Sequence, residues 1–127
     1  MKMARAITIN CLTTLLAISL IILFSSSEAK VSISCPIVIQ NIKPCSDFLL
    51  NGKDPSQECC NGIKIVSGEA EGQEDRTSIC QCIKQGLSGL GTYDPKLIPQ
   101  LPQACGLSMI VPPIDQNTDC SKINFMK

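Results

Sequence analysis

The chain contains no histidine and no tryptophan, and its other aromatics are one tyrosine and three phenylalanines. Without imidazole it lacks the usual general base and the commonest metal ligand near neutral pH. The scarcity of rings removes the stacking surfaces that hold single-stranded nucleic acid. An excess of either charge is also missing, because eleven basic residues face eleven acidic ones. No concentrated basic face is therefore available to neutralise phosphates, and nucleic acid is set aside as a partner. An enzyme is the poorest fit: no metal-ligand cluster, free thiol or cofactor motif is in view, and serines and carboxylates alone make no catalytic case.

The N-terminal apolar run, residues 11–24, falls short of the roughly 20 residues that span a bilayer. It ends in Ser25, Ser26 and Ser27, with no charged stop behind it. Lys2 and Arg5 precede it, and small residues lead through Glu28 to Ala29, the pattern of a secretory signal peptide. Residues 1–29 are therefore expected to be removed, leaving a single domain over residues 30–127. That domain carries nine basic and ten acidic residues, a net charge of about −1. The residues after Cys120 form no hydrophobic tail for a lipid anchor, and no Asn-x-Ser/Thr acceptor occurs. The product is expected to be secreted into the extracellular space.

What the chain has in quantity is cysteine. Setting aside Cys11 in the leader, eight remain in under a hundred residues bound for an oxidising compartment, which reads as four disulfides. Structural zinc would want paired Cys-x2-4-Cys knuckles, and none with that spacing exists. Eight cysteines allow 105 pairings. Cys59 and Cys60 are adjacent and should take different partners, because a bridge between neighbours strains both the peptide and the disulfide dihedral. Cys80 and Cys82 point roughly 200° apart on a helix and should also part company. Many pairings survive both constraints.

Helical periodicity runs through Cys35, Val38, Ile42, Cys45 and Leu49, with Pro44 as a kink and Asn51-Gly52 as a left-handed stop. Asp54-Pro55 is expected to cap and open a second helix carrying Cys59, Cys60, Ile63 and Ile65. A loop over residues 68–72 precedes a third helix that begins near Gln73 and bears Ile79, Ile83 and Leu87. Asp94-Pro95 signals a fourth, short or irregular because it contains Pro99 and Pro102, ending at Gly106. From Leu107 on, Pro112, Pro113 and Asp115 argue for an extended tail. Composition alone fits a densely packed aliphatic core.

The spacing Cys35-x9-Cys45-x13-Cys59-Cys60-x19-Cys80-x-Cys82-x22-Cys105-x14-Cys120 resembles the eight-cysteine motif of plant non-specific lipid-transfer proteins, over essentially the whole mature chain. Polar Gln81 between the paired cysteines is similar to the type 1 branch. Hydrophobins also have eight cysteines, but with two Cys-Cys doublets and no Cys-x-Cys. The resemblance implies the pairs Cys35–Cys82, Cys45–Cys59, Cys60–Cys105 and Cys80–Cys120. It also implies an all-α fold: four short helices and an extended C-terminal tail around an apolar tunnel. Expected occupants are fatty acids, phospholipids or other acyl lipids, taken up by a monomer in transient contact with membranes, with no cofactor and no metal.

Two family pentapeptides are only partly kept. Asp75-Arg76 matches one, with Gly72 where the family has Thr or Ser, so the helix cap is weakened. Arg76 either meets a lipid head group or braces the tail or Asp75. The second falls on residues 111–115, keeps only Ile114, and has Pro112 in place of the family's tyrosine, which shifts head-group duty onto Arg76 or Lys84. Phe48 matches an aromatic near one tunnel end. Tunnel walls are expected from Val38, Ile42, Leu49, Ile79, Ile83, Leu87, Leu101, Ile110 and Ile114. The alternative function is inhibition of a protease or amylase, since seed inhibitors share a related framework with longer spacings. Membrane-active defence ranks low, because a net charge of about −1 gives little attraction to anionic bilayers.

Overall fold

The computed structural model describes residues 11–19 and 32–126. The chain divides into two units, Met1–Val31 and Ser32–Lys127. In the first, residues 11–19 form a helix, α1, with Leu12, Leu15, Leu16 and Ile18 exposed. Lys2, Arg5, residues 20–24 and the expected cleavage point after Ala29 lie outside the described residues. No described helix is long and apolar enough to cross a membrane.

The second unit is built from helices α2 (Cys35–Ile42), α3 (Ser46–Asn51), α4 (Gln57–Glu69), α5 (Gln73–Ser88) and α6 (Gln100–Ala104), with 3₁₀ turns at Lys43–Cys45, Pro95–Leu97 and Cys120–Lys122. Pro36 opens α2, where a missing N–H costs nothing. Pro44 cannot donate to the preceding turn, so the helical run breaks there into a 3₁₀ turn and resumes as α3. Gly52, at φ 65°, ends α3 with its N–H on the Phe48 carbonyl oxygen at 3.0 Å.

Three local expectations need correction. Ser56, not Asp54, caps α4: its hydroxyl accepts the Cys59 N–H at 3.1 Å, so the helix starts two residues later than Asp54-Pro55 suggests. The loop expected over residues 68–72 is shorter, because α4 continues through Gly68 to Glu69. The tail is not simply extended, since Ile110 pairs antiparallel with Met126 through two backbone hydrogen bonds of 2.8 and 3.1 Å. The start of α5 has no side-chain cap at Gly72, but Asp75 supplies one from within, accepting the Gly72 N–H at 3.1 Å.

Four disulfides join Cys35–Cys82, Cys45–Cys59, Cys60–Cys105 and Cys80–Cys120, the pairs that the family resemblance implies. Three of them close stretches of 40 to 47 residues and one a stretch of 14. By chain entropy, each long closure restrains the unfolded chain by about 4 kcal/mol and the short one by about 3 kcal/mol.

The bridges also report helix directions. Cys45 is tied to Cys59, and Gly62 abuts the Asn41 carbonyl, so α2 and α4 run antiparallel. Cys35 is tied to Cys82, and Gly86 faces Ile39 and Ile42, so α2 and α5 run parallel. Where these helices meet, Val38, Cys59, Cys80 and Cys82 are almost wholly buried.

The C-terminal segment is fastened mainly by side chains of α5 and the turn after it. The Gln73 amide donates to the Ile123 carbonyl oxygen at 2.9 Å, and Lys84 Nζ to that of Thr118 at 2.8 Å. Gln116 returns a bond to the Lys84 carbonyl oxygen at 3.1 Å, and the Tyr93 hydroxyl donates to that of Ile114 at 3.0 Å.

Candidate lipid cavity

Between these helices and the folded-back tail lies a cavity of about 370 Å³, within the range of pockets that enclose small ligands. Ile39, Ile42 and Leu49 line it from the α2–α3 side, and Ile63 and Val66 from α4 with Ala70 just after its end. Ile79, Ile83, Gly86 and Leu87 come from α5, Leu90 and Ile98 from the connection, and Leu101 and Pro102 from α6. The tail closes it with Met109, Val111 and Phe125. Polar side chains on the wall are Lys43, Ser46 and Ser67 alone. Such a wall offers burial to an aliphatic chain and almost no directional contacts, so its selectivity is by bulk and polarity and not by fine shape.

An empty space of this size in an ordinary interior would cost on the order of 9 kcal/mol. The four bridges supply restraint of that magnitude without filling it. Disulfides thus take over part of what dense packing does elsewhere.

Of the wall residues expected from sequence, Ile42, Leu49, Ile79, Ile83, Leu87 and Leu101 do line the cavity. Val38, Phe48, Ile110, Ile114, Arg76 and Lys84 do not. Val38 is fully buried, but it is turned about 100° around α2 from Ile39, which does face the hollow. Phe48 is buried one position before Leu49 and is turned by the same angle off the wall. Ile110 is 51% exposed because the tail is extended there, with side chains alternating between faces. Its neighbours Met109 and Val111 point inward, while its bridge partner Met126 is 52% exposed. Ile114 is fully buried away from the wall, with its carbonyl oxygen held by Tyr93.

Both cationic candidates hydrogen-bond backbone carbonyl oxygens and are not among the residues that line the cavity. Arg76 Nη1 donates to the Glu71 carbonyl oxygen at 3.4 Å, and its buried Nε has no partner. Lys84 is the residue that braces the tail, through Thr118. Burial raises the Tyr93 pKa, with a smaller contribution from the negative charge of Asp115. The hydroxyl and N–H of Ser121 lower that of Asp119. Neither group lines the cavity. Among the described residues no His, Cys, Asp and Glu cluster is placed to hold a metal ion.

Sequence reasoning overlooked Ile39, three residues before Ile42, and the inward pair Met109 and Val111, which period-two alternation could have found. Phe125 lies beyond the last cysteine, where no pattern pointed to it.

A disulfide-stapled helical protein built round an aliphatic hollow is what the fold and cavity define. Residues 35–120 match the model of the protease inhibitor/seed storage/LTP family. A non-specific lipid-transfer protein of Ambrosia artemisiifolia is 37% identical over 71% of this chain and 75% of its own length. Non-specific lipid-transfer protein 1 of Lens culinaris is 30% identical over 94% of this chain and 98% of its own. Among solved structures, barley non-specific lipid transfer protein 1 in complex with a lysophosphatidylcholine superposes with a TM-score of 0.63 at 29% identity, over 72% of this chain and all of the other. The chain belongs to this family, within its plant non-specific lipid-transfer proteins.

Proposed function

We propose that this protein encloses the acyl chain of a fatty acid, phospholipid or related lipid in its cavity and carries it between membranes or surfaces. The observation that carries the proposal is a wall of aliphatic side chains drawn from all of α2 to α6 and closed by the tail. Each methylene moved from water into it contributes about 0.8 kcal/mol, less the cost of ordering the chain. The barley relative was solved with a lysophosphatidylcholine, and a wheat relative with two phospholipid molecules, which supports the same class of occupant here. The relatives are carriers, and a carrier needs no catalytic group. The leader at residues 1–29 supports export to the extracellular space as a domain of residues 30–127.

Displacement of a fluorescent fatty-acid probe from the oxidised mature protein, repeated after full reduction, tests this. Saturable uptake that disappears on reduction is the expected result. If neither state takes up the probe, the proposal fails, and trypsin and amylase inhibition become the assays to run.

A further inference from the structure

Of the residues that line the cavity, one is charged, Lys43. We infer that Lys43 receives the anionic head, a carboxylate or a phosphate, of the lipid whose chain fills the cavity. The inference rests on the acyl-lipid function proposed above and adds to it a polarity and a preferred substrate class.

The donor inventory of the wall comes first. Ser46 Oγ donates its hydrogen to the Lys43 carbonyl oxygen at 2.7 Å, and Ser67 Oγ donates to that of Lys64 at 3.0 Å. A hydroxyl has a single hydrogen, so both wall serines are already committed as donors. Lys43 is the one cationic residue left among those lining the cavity to meet an anion, and it pairs with no carboxylate among the described residues. A ligand with an uncharged end has no counterpart for it.

Location comes second. Lys43 follows Ile42, which together with Ile39 faces Gly86, so Lys43 stands at the end of the cavity bordered by Gly86, Leu87, Gly89 and Leu90. Arg76 lies on the same helix as Gly86 but ten residues earlier, about 15 Å away along its axis. It is off the wall and bonded to Glu71. Of the two cations, only Lys43 is among the residues that line the cavity. Lys43 is also exposed, which lets an anion stay hydrated while its chain is buried, avoiding the penalty of an enclosed charge.

Isothermal titration of the oxidised mature protein with dodecanoate, monododecyl phosphate and methyl dodecanoate reads this directly. The wild type is expected to prefer the anions over the ester. Lys43→Gln, which keeps a polar side chain one atom shorter and removes its charge, should reduce that preference about two- to fivefold, the range for an exposed ion pair. Raising salt from about 0.01 M to about 0.5 M should shrink the wild-type preference in the same direction. Arg76→Gln should retain it. A wild type that binds all three ligands without preference would overturn the assignment while leaving the carrier function standing. So would loss of preference in Arg76→Gln with none in Lys43→Gln. Uptake of no ligand at all would sink the carrier function itself.

Discussion

Gly62 in α4 and Gly86 in α5 both face α2, yet they leave out a side chain for opposite reasons. At Gly62 an added Cβ would overlap the Asn41 carbonyl, and backbone on both sides has nowhere to go. At Gly86 it would come within 3.3 Å of Ile39 Cγ1 and 3.4 Å of Ile42 Cδ1, atoms of side chains that border the cavity and can turn into it. One glycine permits close approach, and the other keeps space open. α2 thus has a dense side and a hollow side, and a helix of eight residues separates the part that confers rigidity from the part that takes up ligand.

The same substitution at the two positions should therefore differ in sign. Gly62→Ala gains about 1 kcal/mol of helix propensity, but it forces α2 and α4 apart at an overpacking cost of up to about 3 kcal/mol or more. We expect a net loss of about 2 kcal/mol, seen as a lower denaturation midpoint; an unchanged midpoint would mean the dense side yields as easily as the hollow one. Gly86→Ala keeps the propensity gain, because Ile39 and Ile42 can lean into the hollow. Its stability should rise by as much as about 1 kcal/mol while affinity for a fatty-acid probe falls, as titration of both properties on one sample would reveal.

The smallest expected effect concerns the tail, the far wall of the hollow. Tyr93→Phe removes the bond to the Ile114 carbonyl oxygen and should cost about 1 kcal/mol or less. Because burial raises the Tyr93 pKa above its ordinary 10.0, with Asp115 adding to the shift, its contribution is complete below about pH 10 and is lost as pH climbs through the folded value. Wild type should then lose stability above pH 10 relative to Tyr93→Phe. Parallel pH profiles of the two proteins would show that the tail wall is held without this phenol.

The features legible in the sequence were those fixed within a few residues. Gly52 stopped its helix, Gln73 began α5, Pro44 broke the first helical run and Pro99 stands between the Pro95–Leu97 turn and α6. Gly52 acts through its left-handed torsions, and Pro44 and Pro99 through a fixed φ and a missing N–H. Local competition accounts for the miss at α4, where both Asp54 and Ser56 are good caps and only Ser56 has its oxygen on an orphan N–H. The cavity residues divided along another line. Periodicity selected Val38 and Ile42 alike, because it reports that a residue is buried and not what it is buried against.

By itself, then, the sequence determined the cysteine framework, the helix limits set by Gly and Pro, and the aliphatic character of the interior. The bridges carry the register of the helices because a disulfide admits only a narrow range of separations. Tertiary structure alone decided which side of α2 is dense and which is hollow, that the tail turns back to pair Ile110 with Met126, and that Lys43 and not Arg76 lines the cavity. Those outcomes depend on how several stapled helices exclude one another in space, and no single segment encodes that.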